Sequence, residues 1–307
     1  MSTQVPGGTV ETPVLSPLRV PAANPMPAGN EARHSRWLSF LALSFAGLFL
    51  FELAFFALQG GDKLFQIATF IGLPIGYSVV AAMLRKSPRF AAYWPGFFSY
   101  AITSVALLLM WLLDELPGRW LGLAPKSPPG MAVVKAFDAV LLLLTVIVLT
   151  RVFGVSLRSV FLQRGKLALG LGIGLAGFLV MAAFAFVEAR DMGVSTSRLI
   201  AWAPWLLTFV LSNGFFEELV FRGLLLGKFE PLVGPRLANL VTALVFAIGH
   251  AGVNYTVDIL TFMAVTFVFA LIWGYVMQKT GALWGSSLFH AGADVVIMIG
   301  IFAGVKI

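Results

Sequence analysis

Six ionisable residues lie within apolar segments in the last third of the chain. They are Glu217, Glu218, Arg222, His250, His290 and Asp294. If these segments cross a bilayer, each such group costs roughly 2.5–3.5 kcal/mol near a helix centre and needs a compensating role. Two of the three histidines of the chain belong to this set. A polar cluster that only holds helices together is the alternative. The number of residues, spread over three segments, favours a functional site.

Helical spacing divides these residues into different roles. Glu218 and Arg222 are four positions apart and share a helix face, which predicts a hydrogen-bonded ion pair that braces the helix. Glu217 points about 100° away from that face and is left for chemistry. His290 and Asp294 are also four apart, so the carboxylate can orient the imidazole and favour one tautomer.

A carboxylate and a histidine held together in a membrane can activate water for hydrolysis. We expect Glu217 to act as the general base with His250 as its partner. A second histidine with a polar partner, here His290 with Asp294, can stabilise an oxyanion. Phe246 shares a helix face with His250 and is expected to form a wall of the pocket.

Polar residues and glycines in the other apolar segments have simpler interpretations. Glu52 and Lys135 lie near segment ends, where long side chains can reach the headgroups. Asp138 is one helical turn from Lys135, which predicts a structural ion pair. Gly170 and Gly174 have the four-residue spacing that lets helices approach closely, so they predict packing and not dinucleotide binding.

The composition predicts the fold class that carries these residues. Of the 307 residues, 59% are hydrophobic and only 11% are charged, with a mean hydropathy of +0.92. Apolar runs of about 20 residues recur, long enough for transmembrane helices. The chain is therefore expected to be all-α, a polytopic transmembrane helix bundle of eight or nine spans. Nine runs are predicted at about 37–57, 64–84, 92–113, 131–150, 167–187, 199–221, 237–253, 258–277 and 282–304.

Residues outside the spans predict domains and orientation. The proline-rich segment 1–36 is expected to be a disordered cytoplasmic tail, followed by transmembrane helices without a recognised motif at 37–190 and a core at 191–307. Lysines and arginines concentrate in the tail and in the loops after even-numbered spans, which predicts a cytoplasmic N-terminus in a multi-pass membrane protein. Among them are Arg85, Lys86, Arg89, Arg151, Arg158 and Arg164. Because they flank spans, the net charge of +7 is assigned to orientation and not to nucleic-acid binding.

This topology places the candidate residues at a common depth. Counting from the cytoplasmic ends of their helices, Glu217, His250, His290 and Asp294 lie about 15, 20, 12 and 18 Å deep at 1.5 Å per residue. Antiparallel helices bring residues of similar depth into one layer. The predicted topology and the polar positions therefore support a single site.

Three ordered motifs resemble a known family of membrane proteases. They are EELVFRG at 217–223, FAIGH at 246–250 and HAGAD at 290–294. They are similar to the pattern Glu-Glu-x-x-x-Arg, Phe-x-x-x-His and His-x-x-x-Asn or Asp of the CAAX-processing and bacteriocin-immunity proteases, the CPBP or Abi family. The resemblance covers about residues 199–298. The chain ends its third motif in Asp294, where the prenyl-processing members have Asn.

The resemblance implies an intramembrane endopeptidase. In it, Glu217 and His250 would activate water, and His290 and Asp294 would form the oxyanion site. Family members have been described both as metalloproteases and as metal-free, glutamate-dependent enzymes. We favour the metal-free reading, without a cofactor, and name His250, His290 and Glu217 as the ligands if zinc is used.

The resemblance also bears on substrate and location. Prenylated CAAX substrates are a eukaryotic specialty of the family, so prenyl processing is not predicted. The expected substrate is a peptide or protein that enters from the membrane or the cytoplasmic side, and the expected location is a bacterial inner membrane. A non-catalytic immunity or scaffold protein of the same fold is the main alternative. An ion-coupled transporter is the second, because membrane carboxylates and histidines also form proton relays.

Overall fold

A computed structural model describes the backbone of residues 30–306 and the side-chain surroundings of residues 35–306. Within these ranges the regular structure is helical throughout, with no strand. The α-helices are α1 (Asn30–Gly60), α2 (Lys63–Lys86), α3 (Trp94–Leu113), α4 (Glu115–Leu121), α5 (Pro128–Val152), α6 (Leu167–Asp191), α7 (Thr196–Glu218), α8 (Gly227–Val233), α9 (Pro235–Ile248), α10 (Ile259–Thr280) and α11 (Trp284–Ala303). Eight helical segments in the described part of the chain are long and apolar enough to cross a membrane. The predicted all-α, polytopic membrane fold is confirmed.

The predicted start of the first helix and one predicted transmembrane span were wrong. Helix α1 begins at Asn30, so residues 30–36 of the predicted tail are helical, and the rest of that tail lies outside the described residues. The run at 237–253 was predicted to span the bilayer, but α9 has only 14 residues. At 1.5 Å per residue it is about 21 Å long, shorter than the hydrocarbon layer. Gly249 and Gly252, on either side of His250, favour an end of the helix there.

Hydrogen bonds show at which end of the bundle the short α9 starts. Gln278, near the end of α10, donates to Glu230 Oε1 at 2.8 Å and to the Pro235 carbonyl oxygen at 2.9 Å. The backbone nitrogen of Lys166 donates to the Thr280 carbonyl oxygen at 2.7 Å. These contacts place the starts of α6 and α9 and the end of α10 at one end of the bundle.

Side-chain caps explain where several helices begin. The side chains of Asp62, Ser127, Ser195 and Asp258 accept hydrogen bonds from backbone N–H groups in the first turns of α2, α5, α7 and α10. Each cap satisfies a donor that the helix itself leaves unpaired. In this way the loops set the position of the helices that carry the site.

Glycines bring α11 into backbone contact with α6 and α7. A Cβ on Gly174 would lie 2.6 Å from the Gly285 oxygen, and a Cβ on Gly285 would lie 2.5 Å from the Gly170 oxygen. On the α7 side, a Cβ on Gly214 would lie 2.6 Å from the Ser287 oxygen. We call these four glycines the glycine seam. The packing role predicted for Gly170 and Gly174 is confirmed.

Two polar residues of α5 depart from their predicted surroundings. Lys135 was expected to reach the headgroups, but its side chain lines an internal cavity. The predicted ion pair with Asp138 is absent among the salt bridges within 4.0 Å of residues 35–306, and Asp138 Oδ1 is buried without a hydrogen-bond partner there. Glu52 of α1 is partly exposed, and its Oε1 is buried without a hydrogen-bond partner among residues 35–306. Sequence spacing gives only the relative positions on one helix, whereas the rotation of α1 and α5 against their neighbours decides where these groups point.

Candidate active site

A π-helical segment supports the glutamate pair. Helix α7 ends at Glu218, and residues 219–226 continue as a π-helix whose side chains are all buried. Such segments are rare and often occur at functional sites. Arg222 Nη1 donates to Glu218 Oε1 at 2.9 Å, and both side chains are 0% exposed. Arg222 Nη2 donates to the Ala270 carbonyl oxygen at 3.0 Å, which ties α10 to this pair. The predicted Glu218–Arg222 pair is therefore present.

Aromatic rings enclose the Arg222 guanidinium. Its central carbon lies 4.7 Å from the Phe246 ring centroid and 5.6 Å from the Trp273 ring centroid. These distances allow cation–π attraction, which is strongest where water is excluded. Arg222 Nε and Glu218 Oε2 are buried without a hydrogen-bond partner in the described part of the molecule. The pair is thus held in a buried, aromatic environment.

His290 connects three carboxylates. Its Nδ1 lies 3.0 Å from Glu218 Oε1, and its Nε2 lies 3.3 Å from Glu217 Oε2 and 3.6 Å from Asp294 Oδ1. The imidazole stacks on Trp273, with centroids 3.8 Å apart and planes inclined by 10°. An imidazole with one N–H donates to only one side, whereas an imidazolium donates to both. The geometry therefore favours a doubly protonated ring.

This arrangement differs from the predicted division of the site. His290 and Asp294 were expected to form a unit apart from Glu217, but His290 contacts both glutamates. The 3.6 Å separation from Asp294 is longer than a good hydrogen bond. Asp294 Oδ2 instead accepts from Asn213 Nδ2 at 3.0 Å. Asn213 was missed in the sequence, although an amide four residues before Glu217 in an apolar span was a signal for it.

His250 occupies the turn that follows α9. Its Nδ1 lies 2.7 Å from the Phe246 carbonyl oxygen, a contact in which the nitrogen must donate. We assign the tautomer on this basis, and Nε2 then remains an acceptor. The Phe246 ring lies 4.5 Å from the imidazole and lines the cavity, as predicted. Gln59 of α1 donates to the Gly252 carbonyl oxygen at 3.2 Å and so holds this turn.

A cavity of about 900 Å³ joins these residues. Most of its lining is apolar and comes from both the N-terminal helices and the C-terminal third. Glu217 is 17% exposed, whereas its neighbour Glu218 is 0% exposed. Only one of the two glutamates therefore opens to the cavity. The ionisable and amide groups in the lining are Lys135, Asn213, Glu217, His250, Tyr255, His290 and Asp294.

Tyr255 was also missed in the sequence, because it lies in the loop between α9 and α10. Its ring packs edge-on against Phe262 at 5.5 Å, and it lines the same cavity as Glu217. Burial raises the pKa of the Tyr255 hydroxyl above its usual value. The phenol therefore keeps its proton at neutral pH and can donate a hydrogen bond into the cavity.

The proposed zinc ligands do not fit a metal centre in this arrangement. Both ring nitrogens of His290 face carboxylate oxygens, so the ring presents no free lone pair towards a shared point with His250 and Glu217. In the described part of the chain, no group of three or more His, Asp or Glu side chains is arranged to hold a metal ion.

The fold and the site define a class of protein: a multi-pass integral membrane protein with a buried glutamate–histidine cluster that opens to an internal cavity. Residues 199–296 match the family described as "Type II CAAX prenyl endopeptidase Rce1-like", a family of proteases within CPBP. This segment contains all six ionisable residues of the site. The resemblance seen in the three motifs is thus confirmed for this third of the chain. No curated protein and no solved structure matched the chain.

Proposed function

We propose that the chain is an intramembrane endopeptidase that hydrolyses a peptide bond of a membrane-associated protein or peptide. One observation carries the proposal: of two adjacent glutamates, Glu218 is enclosed by Arg222 and His290, while Glu217 opens to a cavity that also holds His250. Residues 191–307 would form the protease core, and helices within 37–190 would complete the cavity wall.

In the proposed reaction, Glu217 accepts a proton from a water molecule in the cavity. The hydroxide oxygen forms a bond to the carbonyl carbon of the scissile peptide, and the carbonyl oxygen becomes an oxyanion. The C–N bond then breaks, and Glu217 returns the proton to the leaving amine. His250 Nε2, an acceptor in the assigned tautomer, orients the water. The protein ends the cycle in its starting protonation state.

The proposed oxyanion site contains His290 and Asp294, with help from Tyr255. An ionised Asp294 cannot donate a hydrogen bond, so its part is to balance the charge of the imidazolium. The donors are then the Tyr255 hydroxyl and the His290 Nε2–H, which faces Glu217 at first and turns to the oxyanion once Glu217 has taken up the proton of the water. Asn213 holds Asp294 in place through the 3.0 Å hydrogen bond.

The cavity lining suits a mainly apolar peptide segment. Phenylalanine, leucine, methionine and valine side chains dominate it, and the polar groups gather around Glu217. An apolar substrate gains stabilisation from burial, while the few polar groups fix its orientation. We therefore propose that a peptide or protein segment enters from the membrane or the cytoplasmic side.

Glu217→Gln and His250→Ala test this function. Because a general base contributes about 10²–10⁴-fold, we expect each variant to lose peptide cleavage by that order in proteoliposomes. The natural substrate is first found by comparing peptides from cells that produce the wild-type protein with those from cells that produce Glu217→Gln. Peptides that accumulate only with the variant are the candidates.

Glu115→Gln is the matched control, because Glu115 pairs with Arg119 on exposed side chains of α4. It should leave cleavage unchanged. Unaltered peptide pools and full cellular function in both site variants would refute the protease and favour a scaffold of the same fold.

A further inference from the structure

Lys135 places a cation in the cavity from outside the matched protease segment. It lies eight residues after the Ser127 cap, about 12 Å along α5. Its Nζ is 5.0 Å from the Phe216 ring centroid and 5.8 Å from the Phe209 ring centroid. Within residues 35–306, Lys135 forms no salt bridge within 4.0 Å.

The cation–π contacts of the Lys135 ammonium offset only part of the free-energy cost of placing a charge within a membrane helix. A lysine costs roughly 2.5–3.5 kcal/mol at the centre of a membrane helix and less towards an end, and an exposed to moderately buried cation–π contact returns about 0.5–2 kcal/mol. Asp138, one turn away, does not pair with it. Glu217 and Asp294 share the cavity with Lys135, but neither forms a contact ion pair with it among residues 35–306. The ammonium can therefore form its contact with a ligand of opposite charge.

The carboxylates of the candidate active site would hinder the binding of an anionic ligand if Lys135 were absent. Glu217 and Asp294 line the same cavity and would repel an anion. The Lys135 ammonium lies over the ring of Phe216, which directly precedes Glu217 in the sequence. The cation therefore lies on the cavity wall beside the proposed base. The lysine stem has four methylene groups and can swing from the ring faces towards a bound group.

We infer that Lys135 binds a carboxylate of the substrate peptide and so selects substrates that carry one close to the scissile bond. This inference rests on the proposed peptidase function. A peptide offers two sources of the same chemistry, its C-terminal carboxylate and the side chains of Asp or Glu. Both form a charge-assisted hydrogen bond with an ammonium.

The experiment compares Lys135→Met, which removes the charge, with Lys135→Arg, which retains it. Lys126→Met on an exposed loop is the matched control. A peptide cleaved by the wild-type protein is prepared with a free C-terminus, with a C-terminal amide, and with each Asp or Glu replaced by Asn or Gln. The form whose neutralisation weakens cleavage identifies the source of the carboxylate.

Hydrogen bonds to charged groups contribute about 1.5–3 kcal/mol, which corresponds to roughly ten- to 150-fold. We expect kcat/KM of Lys135→Met to fall by that factor for the carboxylate peptide, through KM, and to stay unchanged for the neutral peptide. Lys135→Arg should keep most of the preference. Lys126→Met should behave as the wild type.

Binding to the inactive Glu217→Gln protein gives a second measurement that does not depend on catalysis. The carboxylate peptide should bind more tightly than the neutral form, and Lys135→Met should remove the difference. Equal loss of kcat for both peptides, with a shifted pH profile, would overturn the inference, since Lys135 would then act on Glu217. Full cleavage by Glu217→Gln would instead refute the proposed function itself.

Discussion

Glu217 and Glu218 are identical neighbours in the sequence, yet they belong to different regions of the site. Glu218 lies on the closed side, which we define as Glu218 and Arg222, neither of which lines the cavity. Its Oε1 contacts Arg222 and His290. Glu217 lies on the open side, with His250, Tyr255 and Lys135 around the cavity. Adjacent residues of a helix point about 100° apart, so Glu218 faces its structural partners while Glu217, the proposed base, faces the cavity. The closed side should therefore govern both stability and activity, and the open side activity alone.

The largest effect is expected from Arg222→Met on the closed side. Removing one partner of a buried ion pair costs about 3–5 kcal/mol, and here it leaves His290 as the remaining charged contact of Glu218 among the described residues. We expect a large fall in thermal stability in detergent together with loss of cleavage. Arg119→Met, at an exposed ion pair of α4, is the control and should change neither. An Arg222→Met protein of normal stability would contradict the claim that the closed side, unlike the open side, governs stability.

A smaller effect is expected from Tyr255→Phe on the open side. The change removes a hydroxyl donor and keeps the ring packed against Phe262. Loss of one hydrogen bond to a charged transition state, about 1.5–3 kcal/mol, predicts a fall in kcat of roughly ten- to 150-fold with stability unchanged. Steady-state kinetics and thermal melting on the same preparation check both parts. An unchanged kcat would remove Tyr255 from the oxyanion site.

The smallest effect is expected from Asp294→Asn, which replaces a charge and keeps the shape. The amide oxygen can still accept from Asn213, and the new N–H₂ group can donate. Because Asp294 is proposed to balance charge and not to donate, we expect a loss of cleavage below about tenfold and little change in melting temperature. A loss as large as that of Glu217→Gln would make Asp294 as important as the base.

Several relations between residues four positions apart could be predicted from the sequence. The Glu218–Arg222 pair and the contact of Phe246 with His250 both follow from a four-residue spacing, and both are present. The packing glycines Gly170 and Gly174 were found in the same way. In each case a helical or near-helical backbone brings residues four positions apart onto the same face.

Relations between helices could not be predicted in this way. The stacking of Trp273 on His290, the Asn213–Asp294 hydrogen bond and the position of Lys135 depend on how each helix is rotated about its axis. Spacing gave Asp138 a partner on its own helix, but the rotation of α5 turned Lys135 towards the cavity. Two residues of the open side, Lys135 and Tyr255, therefore became visible only with the packing of the helices.

The glycine seam has a consequence for the timing of activity during biosynthesis. Gly285 on α11 lies in backbone contact with Gly170 on α6. Gly214 on α7 lies against the backbone of α11 near His290. Helix α11 is synthesised after the helices that carry Glu217 and His250. Until α11 has been made and has docked against α6 and α7, Glu217 lacks its contact with His290. The nascent protein is therefore without its complete site while its earlier helices enter the membrane.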